Sequence, residues 1–168
     1  SDDDDMVFLS VREVELLADE AEKIGKPVDG LLVRWQAYTG CRIGESLALK
    51  VGDVDAAKRR ARIGRTWTDD GHGGSMLATR GGNVWTNTWR TMIWNKAVKA
   101  AGMEDEGVTI HSLRHTYASF AIAQGADAKT LQMQLGHSSP SITLNTYTAL
   151  WPERLDDVAY ALGALRER

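Results

Sequence analysis

Helix-opening and helix-closing residues alternate along most of this chain, and the stretches between them carry apolar residues at helical spacing. Ser10 with Glu13 is a capping-box pattern. It predicts a helix through about Ile24, with Val14, Leu16, Leu17 and Ala21 on its apolar side. Pro27 and Asp29 restart the chain, and Leu31, Leu32, Trp35 and Tyr38 recur helically as far as the closing Gly40. A short helical turn is expected around Gly44 to Leu49. Thr86 or Asn87 caps a helix to about Ala101, with Trp89, Ile93, Trp94 and Val98 on one side and Gly102 closing it. In the last third, residues 111–124 form a helix ended by Gly125, and Asp127 caps 128–135, stopped by Gly136. Ser139-Pro140 starts a helix toward Tyr147. Beyond Pro152, residues 153–166 read as an amphipathic helix with Leu155, Val158, Leu162 and Leu165 inward.

The middle of the chain reads differently. Val51 to Val54 and Ala61 to Trp67 are expected strands around the polar stretch Asp55 to Arg60, and Asp69 to Ser75 holds only Asp, Gly, His and Ser, which is loop chemistry. The expected class is therefore mainly α with a small antiparallel β-sheet (α+β). Residues 7–168 form one domain, and 1–6 are a solvated linker or an engineered end. At 168 residues the chain is long enough for a real core, and its 43% hydrophobic and 26% charged content is that of an ordinary globular protein. No apolar run approaches the roughly 20 residues of a membrane span, and the N-terminus does not read as a signal peptide. The lone Cys41 excludes an internal disulfide and points to a reducing, cytoplasmic setting.

Net charge is −3 with a pI near 5.8, which is not the basic profile of a nucleic-acid binder. Asp2 to Asp5 account for −4 of it, leaving about +1 elsewhere. A basic face can coexist with an acidic end, so composition leaves nucleic acid open.

Three short stretches carry reactive residues. The first is Tyr38-Thr-Gly-Cys-Arg-Ile-Gly-Glu-Ser-Leu, with Arg42 just past a helix end. In the second, His111-Ser-Leu-Arg-His115, His111 and Arg114 share one helix face. The third is Leu135-Gly-His-Ser-Ser, with Tyr147 ten residues after His137. Cutting a phosphodiester without metal needs fixed positive donors around oxygens whose charge grows in the transition state. Arginine suits that task because its fork binds phosphate oxygens in pairs and stays charged. A phenol placed in line supplies a nucleophile and leaves a covalent phosphoryl-enzyme.

Together these stretches resemble the tyrosine recombinase family, most closely its phage-integrase branch. The family pattern of T-G-x-R-x-x-E, H-x-L-R-H, L-G-H and a following tyrosine is matched by Thr39 to Glu45, His111 to His115, Leu135 to His137, and Tyr147. The resemblance covers residues 8–165 and implies the family's catalytic-domain fold. It implies that Arg42 and Arg114 clamp the scissile phosphate and that His111 and His137 donate to its oxygens. His111 is also the candidate base for the phenol proton, and Tyr147 the nucleophile that forms a 3′-phosphotyrosyl link. Glu45 and His115 are implied supports. Lys58, Arg59, Arg60, Arg62 and Arg65 are candidate DNA contacts, or else an ordinary solvated hairpin. No metal and no cofactor is implied.

The implied partners are double-stranded DNA attachment sites, with a homo-tetramer on DNA, a monomer in isolation, and no membrane. The implied origin is a phage or mobile element whose genome integrates, with action in the bacterial host cytoplasm or nucleoid. The resemblance also implies an N-terminal DNA-binding domain, which this chain is expected to lack, and a helix over 153–166 that docks either on a neighbour or on its own domain.

One departure stands out. The family uses a hairpin lysine to protonate the leaving 5′-hydroxyl, yet no lysine occurs between Lys58 and Lys96. Ala78-Thr-Arg-Gly-Gly-Asn resembles a family segment that normally comes later, so a strand and a helix are expected to be missing near Ser75 to Leu77. Residues closed over by the numbering, an engineered deletion and a natural loss are all open. Arg65, Arg80 and His72 are poor replacements, because an arginine with a pKa above roughly 12 gives up a proton reluctantly. Two other readings stay open: a type IB topoisomerase-like relaxase, and a non-catalytic DNA-binding or assembly module. His111 and His115 also have the spacing of half a metal site, without the glutamate or cysteines that would complete one.

Overall fold

The computed structural model describes residues 6–64, 67–69, 75–77, 86–151 and 162–165, with the side chains of 67–69, 75–77, 86 and 87 left aside. It divides into two compact units, residues 1–121 and 122–168.

In the first unit, α1 (Val11–Ile24) opens on the expected capping box: Glu13 N donates to Ser10 Oγ at 3.2 Å and Ser10 N to Glu13 Oε2 at 2.7 Å. Val14, Leu17, Ala18 and Ala21 are buried, whereas Leu16, expected inward, is 40% exposed. The next helix, α2 (Pro27–Thr39), lies against α1 so closely that a Cβ built on Gly30 would stand 2.7 Å from the Ala18 carbonyl oxygen. Leu31 and Tyr38, which recur at helical spacing, are exposed, and the buried face is Gly30, Val33, Gln36 and Ala37. The reason is that one stripe of α2 meets α1, and the neighbouring apolar positions fall outside it.

A short α3 (Ile43–Leu47) follows. The expected strand at Val51 to Val54 is a 3-10 turn, Val51–Asp53, leading into β1 (Val54–Asp55), which pairs antiparallel with β2 (Arg60–Ala61). The expected strand Ala61 to Trp67 is likewise divided. Its far end opens β3 (Trp67–Asp69), which pairs antiparallel with β4 (Ser75–Leu77) in the register Trp67↔Leu77 and Asp69↔Ser75. Asp69 and Ser75 thus end strands rather than belonging to the loop. Helix α4 (Thr86–Trp89) passes through a π turn, Arg90–Trp94, into α5 (Asn95–Ala100). Residues five apart stand roughly 140° apart on an α-helix, but the wider π turn lets Trp89 and Trp94 both bury, with ring centroids 6.0 Å apart. Trp89 Nε1 donates to Asp29 Oδ1 at 2.8 Å, tying α4 to the start of α2. The first turns of α6 (Ile110–Ala123) close the core with Ile110 and Leu113.

The second unit holds α7 (Ala128–Leu135) and α8 (Pro140–Tyr147). Asp127 caps α7 by accepting from Thr130 N at 2.6 Å, and Gly136 closes it at φ 67°. Trp151 Nε1 donates to Ala126 O at 3.0 Å, which ties the chain beyond α8 back to the start of α7. Of the expected helix over 153–166, only the helical turn 162–165 is described. There Leu162 and Leu165, expected inward, are 61% and 64% exposed; Leu155 and Val158 lie outside the described residues. No helix among the described residues is long and apolar enough to cross a membrane.

Candidate active site

Helix α2 ends because Gly40 adopts φ 71°, a left-handed conformation that side-chain-bearing residues rarely take. That turn delivers Arg42 to the head of α3. Arg42 N donates to Glu45 Oε2 at 2.8 Å, and its guanidinium meets Glu45 Oε1 at 3.4 Å. Glu45 therefore holds both the helix start and the arginine. The Arg42 side chain is 49% exposed, and an ion pair in that setting is weak enough to be given up to an incoming anion.

Arg114 is placed differently. It is buried at 3% exposure, and its guanidinium donates to Gly40 O at 2.6 Å. The carbonyl of the glycine that ends α2 is thus bound by the arginine of α6, so two stretches some 70 residues apart in sequence meet at one point.

One turn earlier on α6, His111 feels the same charges. Its pKa lies below the usual histidine range because burial penalises the charged ring, and because the positive charges of Arg114 and Arg42 repel a proton. His111 as a residue is exposed, but its ring packs on His115, with centroids 4.7 Å apart and planes at 88°, so desolvation acts where the proton would sit. His115 is pushed down to about 4 by burial first, then by His111 and Arg114. Both rings are neutral near pH 7. A neutral His111 can accept a proton, and once a phosphate arrives it can hold one. Among the described residues no cluster of three His, Cys, Asp or Glu side chains forms around this pair.

In the second unit, His137 follows Gly136 directly. Its backbone is held at both ends, by His137 N donating to Gln132 O at 3.1 Å and by Gln132 Nε2 donating to His137 O at 2.7 Å. Its ring Nδ1 lies 2.7 Å from Thr143 Oγ1. Thr143 is fully buried, so this bond sets the ring's direction and leaves Nε2 as the opposite pole. Tyr147, the last residue of α8, is 2% exposed. Cys41 is buried, and burial raises its thiol pKa, which fits a packing role.

Of the basic candidates, Lys58, Arg59, Arg60 and Arg62 are exposed on and beside the β1–β2 hairpin; Arg65 lies outside the described residues. Lys58 is partly spoken for by Asp55 at 3.5 Å. Arg59 sits at φ 51°, where glycine is more at ease, so turn geometry does not call for an arginine there.

Sequence reasoning missed Thr143, the Gly40 carbonyl and Phe8, whose ring lies edge-on to His115. A buried threonine six residues after a histidine has no spacing rule to flag it, and neither a backbone acceptor nor a long-range ring contact leaves a mark on local pattern.

The first unit thus carries a buried arginine, an exposed arginine and a neutral histidine, and the second carries a histidine and a tyrosine. The chain belongs to the phage integrase family, whose model matches residues 69–154; that span contains His111, Arg114, His137 and Tyr147 but not Arg42. It is 30% identical to tyrosine recombinase XerC of Mycobacterium leprae, over 73% of this chain and 50% of that protein. The fold matches the catalytic domain of bacteriophage HP1 integrase with a TM-score of 0.62 at 22% identity, covering 92% of this chain and 94% of that one. It also matches the Tn1549 transposon integrase in complex with circular intermediate DNA, TM-score 0.68 at 17% identity, covering 98% and 69%. The chain spans about half the length of the curated relatives it matches. The XerC alignment runs over 151 residues, yet 73% of this chain is about 123 residues. About 28 positions of the relative therefore face no residue here.

Proposed function

We propose that this chain is the catalytic domain of a site-specific DNA recombinase that cuts and rejoins double-stranded DNA through Tyr147. The observation that carries the reading is the bond from Arg114 to Gly40 O, which brings the Arg114 helix to the turn bearing Arg42, with His111 under both charges. In the reaction, Tyr147 Oη attacks the phosphorus and its proton passes to His111. The two arginines and His137 stabilise the added charge on the nonbridging oxygens. The P–O5′ bond breaks as the Tyr147 Oη–P bond forms, the departing 5′-oxygen takes its proton from water, and a 3′-phosphotyrosyl link remains. Attack by a second 5′-hydroxyl reverses the sequence on another strand, so the chain's own residues need no energy-carrying cosubstrate. Lys58, Arg59, Arg60, Arg62 and Arg65 contact the DNA backbone, and assembly on paired attachment sites is tetrameric, with a monomer in solution.

The test is a nicked duplex from which the cleaved end diffuses away. Wild type should accumulate a covalent protein–DNA adduct and Tyr147→Phe none. Equal absence of adduct in both would end the strand-cleaving reading.

A second reading has its own observation behind it. With no lysine between Lys58 and Lys96, and about 28 positions of the XerC relative unmatched, we place the shortening near Ser75 to Leu77. In that case the domain binds DNA and presents Tyr147 but lacks its own leaving-group acid.

A further inference from the structure

The run Val7–Leu9, ahead of α1, has no part in the chemistry above, yet it is bound to the helix that carries His111 and Arg114. Leu9 N donates to Thr116 Oγ1 at 3.0 Å in a buried bond, with Leu9 4% and Thr116 0% exposed. Beside it, the Phe8 ring stands edge-on to His115, with centroids 6.4 Å apart and planes at 71°. His115 stands edge-on to His111 at 4.7 Å and 88°. Three rings therefore form a row that starts at Phe8, next to the pinned backbone of Leu9, and ends at His111.

Edge-to-face pairs have a preferred geometry, because the positive edge of one ring meets the negative face of the next. Each ring in the row therefore restricts the tilt of the next. The two arginines have other supports, Gly40 O for Arg114 and Glu45 for Arg42. His111 is exposed on one side, so its direction depends on what stands on the other.

We propose that Phe8 and His115 are positioning residues for His111, the ring row setting the direction in which His111 meets a DNA phosphate. Its catalytic consequence rests on the strand-cleaving reading above; the ring row itself does not. His115 suits the place because it stays neutral at physiological pH, its pKa being held at about 4, and so it adds no repulsion beside His111 and Arg114.

The chain has four histidines, so their imidazole signals can be assigned one by one by NMR. Phe8→Leu keeps the bulk and removes the ring. It should move the ring signals of both His115 and His111 while the amide spectrum stays dispersed. Single-turnover cleavage of the nicked duplex at saturating DNA should fall about tenfold, as for a slightly misaimed catalytic group, with DNA affinity within about twofold. Phe8→Tyr, which retains a ring, should restore both signals and rate. Unmoved His111 signals in Phe8→Leu would overturn the proposal, as would an unchanged cleavage rate. If wild type forms no adduct, the strand-cleaving reading fails separately. The signals then decide alone: moved His111 signals sustain the row, and unmoved ones end it.

Discussion

Arg114 shows how one side chain serves two ends. Its guanidinium is almost wholly buried and bonded to Gly40 O, so its fork is oriented before any phosphate arrives. A lysine there would keep the charge and lose the fork. Arg114→Lys is expected to slow single-turnover cleavage by on the order of 10²–10³-fold, with DNA affinity little changed in a gel-shift titration. Wild-type cleavage would remove Arg114 from the clamp. His115 makes a second prediction at this scale. Its pKa is about 4 in the fold against about 6.5 in an unfolded chain, so only the unfolded state takes up its proton between those values. Folding stability should therefore be lost as pH drops from 6.5 toward 4, by on the order of 2–3 kcal/mol after allowance for a partly solvated ring. The lowered pKa of His111 acts in the same sense. Urea midpoints across that range check it, and His115→Phe should flatten the curve. An unchanged slope in the variant would refute the assignment.

At the scale of elements, the α1–α2 pair is the foundation of the first unit, and Gly30 is a position where α2 lies directly against the backbone of α1. Alanine would favour the helix by about 1 kcal/mol. Its Cβ, however, would stand 2.7 Å from the Ala18 carbonyl and 3.0 Å from Glu22 Cβ, and backbone cannot swing aside as a side chain can. Overpacking of this kind costs about 1–3 kcal/mol. Gly30→Ala is therefore expected to destabilise on balance, read as a lower urea midpoint; a higher midpoint would show that the helices separate easily. The same scale explains which elements were legible. Helices with a cap at one end and glycine at the other, such as α1 and α7, match their sequence signals closely. The strands did not, because two- and three-residue pairings are decided by what lies opposite rather than by their own alternation. The π turn was illegible for a related reason: it exists to bring Trp89 and Trp94 to one side, and local spacing reads as an ordinary helix.

At the scale of the whole molecule, the proposed strand cleavage raises the question of where a leaving strand would find its proton. A general acid contributes about 10²–10⁴-fold to such a step. If this chain lacks one, a substrate whose bridging 5′-oxygen is replaced by sulfur should be cleaved at least about 10²-fold faster than the normal strand. The reason is that a thiolate leaves without protonation. Quench-flow measurement of adduct formation on the two substrates checks this, and equal rates would mean that another group of the chain supplies the proton.

By itself the sequence determined the helical succession as far as Tyr147, the mainly α class with a little antiparallel sheet, and the family, because capping residues and motif spacings act over a few neighbours. It also marked Arg42, His111, Arg114, His137 and Tyr147 as the residues worth watching. Tertiary structure alone decided that Gly40 O receives Arg114, that Thr143 aims His137, and that Phe8 stands behind His115 and His111. It also decided that Leu31, Leu162 and Leu165 face water. These are contacts between surfaces that only a packed chain brings together, and neither periodicity nor capping encodes which surface meets which.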